Sequence, residues 1–234
     1  MTEPYYSDES VTIYHGDALE MLPVMAPGAV SAVVTDPPYI IGSSSSGGSE
    51  RNIGTKGGMW ADLMNSALWF ATWYAELPRV LSRSGSFWTF CNWRTFPVVT
   101  RAAMTADLPI TSLLVWDKEW IGPGGHQGLR PSYELVALMA MPDFAVPDRG
   151  QPDILRHRVG SYKEFGHPAE KPEGLLRKLL LIADCSGLVL DPFMGSGTTL
   201  AAAKGLGLHA VGIDAEERYC EMAARRLSQE VLAI

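Results

Sequence analysis

The sequence predicts an open α/β domain, and three stretches carry that prediction. Val30-Ser31-Ala32-Val33-Val34-Thr35 is a short, apolar, β-branched run that reads as a strand buried on both faces, and it delivers Asp36-Pro37-Pro38-Tyr39 at its end. Gly187-Leu188-Val189-Leu190-Asp191 is a second such strand, followed by the glycine turn Gly195-Ser196-Gly197-Thr198-Thr199 entering a helix. His209-Ala210-Val211-Gly212-Ile213-Asp214 is a third, ending in an acid 19 residues after Gly195. In open α/β sheets ligands sit at the carboxyl ends of strands, so chemistry is expected at these tips.

The bulk properties bound the reading. A chain of 234 residues that is 47% hydrophobic suffices for one sizeable core, read as a single domain over residues 1–234. No apolar run reaches bilayer length, and the amino terminus lacks a basic, apolar signal pattern; the expectation is a cytoplasmic protein with no membrane partner. Cys91, Cys185 and Cys220 are odd in number and far apart, and His15, His126, His157, His167 and His209 are scattered, so neither a disulfide framework nor a metal site is predicted. The net charge of −7 argues against a protein that coats nucleic acid non-specifically. Arg149, Arg156, Arg158 and Lys163 nevertheless make a local basic cluster against Asp153 alone, and such a patch can face a phosphate backbone. An ordinary solvated loop is the competing reading of that cluster.

In chain order, residues 11–17 alternate as a strand does and stop at Gly16-Asp17. Residues 18–25 form a short helix closed by Pro27-Gly28, before the strand into Asp36. Residues 41–59 are serine- and glycine-rich, too polar to pack. They are read as a mobile loop, and their place directly after Tyr39 favours a lid over substrate above a tolerated surface insertion. Residues 60–81 predict one amphipathic helix with Trp69, Phe70, Trp73 and Leu77 on one side, and residues 86–91 a buried strand. A helix over 96–106 follows, then strands over 110–116 and 133–141 in a hairpin-like return, with Gly122-Pro123-Gly124-Gly125 between them as loop. Residues 142–166, with Pro142, Pro147, Pro152 and few aliphatics, read as an irregular excursion of the size needed to recognise a macromolecular partner. Helices over 175–183, from the glycine turn to Leu206, and over 216–231 complete the pattern.

The motifs then narrow the chemistry. Pro37 and Pro38 stiffen the backbone and leave carbonyls unclaimed by ladder bonds, Asp36 adds a carboxylate acceptor and Tyr39 a flat ring. Together they suit a planar group bearing an exocyclic NH2, although a packed strand-ending turn has the same letters. The glycine turn lacks the lysine of a phosphate-cradling loop, which argues against a nucleoside triphosphate. Asp214 stands where a carboxylate accepts ribose hydroxyls, so NAD and S-adenosyl-L-methionine compete; the missing third glycine of the dinucleotide fingerprint counts against NAD.

Taken in order, Asp36-Pro37-Pro38-Tyr39 and Asp191-Pro192-Phe193-Met194-Gly195-Ser196-Gly197-Thr198-Thr199 resemble the β-class, permuted DNA amino-methyltransferases that act on adenine N6 or cytosine N4. Gly16-Asp17, Trp116-Asp117-Lys118, Arg130, Tyr133-Glu134 and His167-Pro168-Ala169-Glu170-Lys171-Pro172 fall in that family's order, and the resemblance covers nearly the whole chain. It implies a Rossmann-like S-adenosylmethionine-dependent methyltransferase fold with circularly permuted motif order: a mostly parallel seven-stranded sheet with one antiparallel strand, the two motif strands side by side. It implies a restriction-modification type of activity on a flipped adenine in double-stranded DNA, with Asp36, Pro37, Pro38 and Tyr39 catalytic. Asp17, Lys171, Asp191, Phe193, Gly195, Gly197, Thr198, Thr199 and Asp214 would bind cofactor, with Lys171 near its methionine carboxylate. Lys118, Arg130, Arg149, Arg156, Arg158 and Lys163 are the candidates for DNA contact. Cytosine N4 is the alternative target; a NAD-dependent oxidoreductase and a non-catalytic DNA-binding module are the alternatives of a different class. The short 142–166 region predicts a short or relaxed target sequence, or a homodimer that reads one jointly. The setting implied is nucleoid-associated, in a prokaryotic or phage-infected cell.

Overall fold

The computed structural model describes residues 3–38, 59–122, 129–159 and 170–229, with side chains from residue 66 onward in the second segment. Tyr39, residues 41–58 of the predicted lid, Lys163 and His167 therefore lie outside the described residues.

The first half of the chain runs β1 (Tyr6–Ser7), β2 (Val11–His15), α1 (Ala18–Met21), β3 (Val30–Thr35), α2 (Met59–Tyr74), α3 (Leu77–Val80) and β4 (Leu81–Cys91). The second half runs α4 (Phe96–Thr105), β5 (Ile110–Asp117), β6 (Tyr133–Ala140), β7 (Ile154–Arg156), α5 (Glu173–Ile182), β8 (Leu188–Asp191), α6 (Thr198–Lys204), β9 (Ala210–Asp214) and α7 (Glu217–Gln229). One sheet carries all of these strands in the order β1-β2-β9-β8-β3-β4-β6-β5-β7.

This sheet corrects the expectation of seven strands with one antiparallel member. Among the described residues it has nine strands, and three of its ladders are antiparallel: β1 on β2, and β6 on both β4 and β5. The two unforeseen strands are the edges. β1 is two residues long and returns on β2 through a turn in which Asp8 Oδ1 accepts the N–H groups of Ser10 and Val11, each at 2.8 Å. β7 lies inside the stretch expected to be irregular and runs parallel to β5, pairing Val115 with Ile154 and Asp117 with Arg156. Neither is long enough to display a period of two, which is why pattern reading passes over them.

The central strands are covered on both faces, and alternation along β3 shows how. Ala32 and Val34 enter the apolar cluster under α5, α6 and α7, whereas Val33 enters the cluster with Phe70, Trp73, Tyr74 and Phe87 on the other face. Trp73 packs edge-on to Phe87 with ring centroids 5.6 Å apart, and Tyr74 does so at 5.1 Å. Burying each such side chain stabilises the fold by roughly 1.5–3 kcal/mol relative to leaving it in water. The single helix predicted over 60–81 is broken after Tyr74. Pro78 has no N–H to continue an α-helical ladder and stands instead in the first turn of α3, and the chain is already extended at Leu81.

Candidate active site

β3 lies between β8 and β4, so the tips beyond Thr35 and Asp191 are neighbours, and Thr35 Oγ1 donates to Asp191 Oδ1 at 2.6 Å. A cleft opens at this edge. Its walls are Thr35, Asp36, Phe90, Glu170, Lys171, Leu176 and Asp191, with Phe193, Met194, Gly195, Ser196, Thr198 and Thr199 of the glycine turn. Asp36 and the glycine turn thus line one space, as expected, whereas Pro37 is buried and neither it nor Pro38 is among the walls.

The turn is shaped by two glycines with different constraints. Gly197 has φ of 78°, and a Cβ there would stand 2.7 Å from the Cβ of Ala223, so both backbone and packing demand glycine. Gly195 has φ of 54°, and a Cβ there would meet nothing within 4 Å: this glycine leaves space beside the cleft. A ligand can approach the backbone closely at that point, which fits the elongated cofactor expected. Asp214 holds the turn from the next strand, its Oδ2 accepting from Gly195 N and its Oδ1 from Glu216 N, each at 3.0 Å. Asp17 sits at the adjoining tip of β2, exposed, capping α1 by accepting from Leu19 N at 2.9 Å; neither Asp17 nor Asp214 lines the cleft itself.

The two cleft acids differ. Asp191 is 3% exposed and accepts from Thr35, from the side chain of Thr199 and from Phe193 N at 3.1 Å. Burial outweighs those bonds and pushes its carboxyl up to about 6. Asp36 keeps a side-chain exposure of 29%; its Oδ2 accepts from Lys171 Nζ, and its Oδ1 is buried with no hydrogen-bond partner among the described residues. Lys171, expected at the cofactor's amino-acid end, turns its ammonium between Asp36 and Glu134, 3.3 Å from Glu134 Oε2. Burial pulls that ammonium down, but the carboxylates of Asp36 and Glu134 outweigh burial and hold it above the ordinary lysine range. Glu134 in turn is pushed up by burial and pulled below the ordinary range by Lys171 and Lys118.

Glu134, Glu170 and Arg226 are site features that sequence reading did not assign. Glu170 accepts from Thr198 Oγ1 at 3.1 Å and from Arg226, whose guanidinium is buried and also donates to Thr198 at 3.0 Å. A signal for Glu134 was present: it is a lone acid at the start of the otherwise apolar strand Tyr133–Ala140. Phe193 packs on Trp69 and Trp73, ring centroids 5.1 Å apart in each case, so the cleft's wall is continuous with the aromatic core.

The basic candidates divide. Lys118 is paired with Glu134 at 2.5 Å and 18% exposed, so its charge is committed inside the protein. Arg130 caps the loop, donating to Gly122 O at 2.7 Å and Ile121 O at 3.1 Å. Arg149, Arg156 and Arg158 are exposed, and Arg156 approaches Asp117 only to 3.9 Å. The pairing of Cys91 with Leu135, and of Asp117 with both Tyr133 and Arg156, puts Arg156 at the same sheet edge as the cleft. Among the described residues there is no cluster of metal-ligating side chains, and no helix is long and apolar enough to cross a membrane.

Comparison with known proteins places this geometry. Residues 30–225 match the family model for DNA methylases of the N6 and N4 type. The chain is 28% identical to the type II methyltransferase M2.DpnII of Streptococcus pneumoniae, across 98% of this chain and 94% of that protein. It is 26% identical to the DNA adenine methyltransferase YhdJ of Escherichia coli (strain K12), across 95% and 84%. Among solved structures, PvuII DNA methyltransferase, described as cytosine-N4-specific, superposes with a TM-score of 0.75 at 18% identity, covering 94% of this chain and 87% of that one.

Proposed function

The chain belongs to the N6/N4 DNA methylase family, and from that premise we propose that it methylates the exocyclic N6 of an adenine flipped out of double-stranded DNA. The cofactor is S-adenosyl-L-methionine, which when bound supplies an electrophilic sulfonium methyl group.

Asp36 is the observation that carries the reading. A buried carboxylate oxygen without a partner costs free energy, roughly 1–3 kcal/mol or more for a charged group, unless something arrives to use it. An amine with two hydrogens offers one to Asp36 Oδ1 and the other to the Pro37 carbonyl. Both bonds draw the nitrogen lone pair out of conjugation with the ring and aim it across the cleft toward the glycine turn. Flipping is required because N6 is otherwise occupied in pairing and stacking. The nitrogen gains the methyl carbon as the sulfur–carbon bond breaks, and it releases a proton once methylated. Placement supplies most of the acceleration in such an in-line displacement. Tyr39 is assigned to stacking on the base, Thr198 and Thr199 to the cofactor's amino-acid end, and Asp214 and Asp17 to its ribose and adenine.

Support for adenine comes from the related DNA adenine methyltransferase YhdJ, which the chain matches across 95% of its length. Cytosine N4 is a second reading with its own support, since its amine presents the same two hydrogens to the same acceptors, and the cytosine-specific PvuII enzyme shares this fold. Labelled cofactor is incubated with unmethylated DNA, which is then digested to nucleosides. Label in N6-methyldeoxyadenosine is expected. Label in N4-methyldeoxycytidine would select the second reading, and no labelled nucleoside would reject both.

A further inference from the structure

Lys118, Glu134, Lys171 and Asp36 form a row of alternating charges that runs from the rim into the cleft. Lys118 Nζ meets Glu134 Oε1 at 2.5 Å, Glu134 Oε2 lies 3.3 Å from Lys171 Nζ, and Lys171 Nζ donates to Asp36 Oδ2. The row is laid over aromatic faces: Lys118 Nζ is 5.2 Å from the Trp116 ring centroid and Lys171 Nζ 5.1 Å from that of Phe90. Its members come from four places in the fold, the end of β5, the start of β6, the approach to α5 and the tip of β3. Buried ion pairs contribute little to net stability because desolvation offsets attraction, so stability alone does not explain this row.

We propose that Lys171 is a positioning residue for methyl transfer: it occupies one oxygen of Asp36, leaving the other to face the target amine, and Glu134, braced by Lys118, fixes Lys171 in that role. The inference rests on the assignment of Asp36 as acceptor for the amine. Its physical content is orientation. A carboxylate turns about its Cβ–Cγ bond, and the Lys171 donor on Oδ2 restrains that turn, so that Oδ1 keeps one orientation for an incoming amine. The ammonium also keeps Asp36 paired while a cationic sulfonium and a developing cationic amine are both nearby, so the acceptor does not collapse onto either. Asp191 and Cys91 also feel the charge of Asp36.

The test separates orientation from cofactor binding. Single-turnover methylation is measured at saturating cofactor for Lys171→Ala and Glu134→Gln, alongside calorimetric affinities for cofactor and for DNA. Lys171→Ala is expected to slow transfer by about 10²-fold, the scale of a small misplacement at a reacting centre, with both affinities within about threefold of the wild type. Glu134→Gln, one step removed, is expected to slow it by about tenfold with the same split. Added propylammonium should restore part of the Lys171→Ala rate where propanol of equal size does not. The proposal is overturned if the Lys171→Ala defect disappears at saturating cofactor, if Glu134→Gln transfers at the wild-type rate, or if both additives or neither restore activity. Should Lys171→Ala not fold, the Glu134→Gln result decides alone. Failure of the wild type to label any nucleoside would instead remove the underlying function.

Discussion

The tips of β3 and β8 are built alike and used differently. Each ends in an aspartate followed by proline, each lines the same cleft, and Thr35 links one strand to the other's acid. Asp191 spends its carboxylate inside the protein, on Thr35, Thr199 and the Phe193 N–H. Asp36 gives one oxygen to Lys171 and leaves the other without a partner among the described residues. An acid at a strand end is thus either a clamp for the turn that follows it or an acceptor for a substrate. What separates the two is how many of its lone pairs the fold has claimed.

The largest expected consequence lies in catalysis. Asp36→Asn replaces one carboxylate oxygen with an amide nitrogen that cannot accept and should lower single-turnover transfer by about 10²–10³-fold. Asp191→Asn, whose remaining oxygen still accepts from Thr35 and Phe193, should cost far less. Equal losses would erase the distinction between clamp and acceptor.

The glycine turn sharpens the same contrast. Gly197→Ala drives a Cβ to within 2.7 Å of Ala223 at φ of 78° and should destabilise the fold by roughly 2–4 kcal/mol in a denaturant titration. Gly195→Ala meets no protein atom within 4 Å and should cost only about 1 kcal/mol for its positive φ, while weakening cofactor affinity measured by calorimetry. A Gly195→Ala protein with normal cofactor affinity would detach the turn from the ligand.

A pH series isolates the clamp. The Asp191 carboxyl titrates at about 6 in the folded chain against 3.8 as its ordinary value, so the fold prefers its neutral form. The stability this group contributes is full below about pH 3.8 and is lost as pH rises through about 6. Asp191→Asn should therefore raise stability by roughly 1–3 kcal/mol at pH 7, with the gain vanishing near pH 4 in thermal melts. A gain independent of pH would contradict the burial argument. The smallest effect is expected at the rim. Arg156→Ala with Arg158→Ala should weaken DNA binding a few-fold, and the slope of log affinity against log salt should flatten by about one for each phosphate no longer neutralised.

Most of the site was legible because each piece is local. A β-branched run ending in an acid marks a strand tip, and a glycine turn between strand and helix marks a binding loop; both are contiguous in sequence. The order of motifs then brought Asp36 and Gly195 to one cleft. The charge row was not legible, because Lys171 meets Asp36 across 135 positions and its second carboxylate, Glu134, belongs to another strand. The same limit hid Lys118, which reads as a surface cation until Glu134 is seen beside it. The edge strands Tyr6–Ser7 and Ile154–Arg156 escaped because two or three residues carry no periodicity, and the break at Pro78 was hidden by the apolar spacing that continues through Leu77.

The most direct measurement is a crystal structure with a DNA duplex containing the target base and an unreactive cofactor analogue that lacks the transferable methyl. The exocyclic nitrogen is expected within about 3 Å of Asp36 Oδ1, with Lys171 still on Oδ2 and the analogue against the glycine turn. An amine bound elsewhere, or Lys171 swung onto the analogue's carboxylate, would contradict that placement.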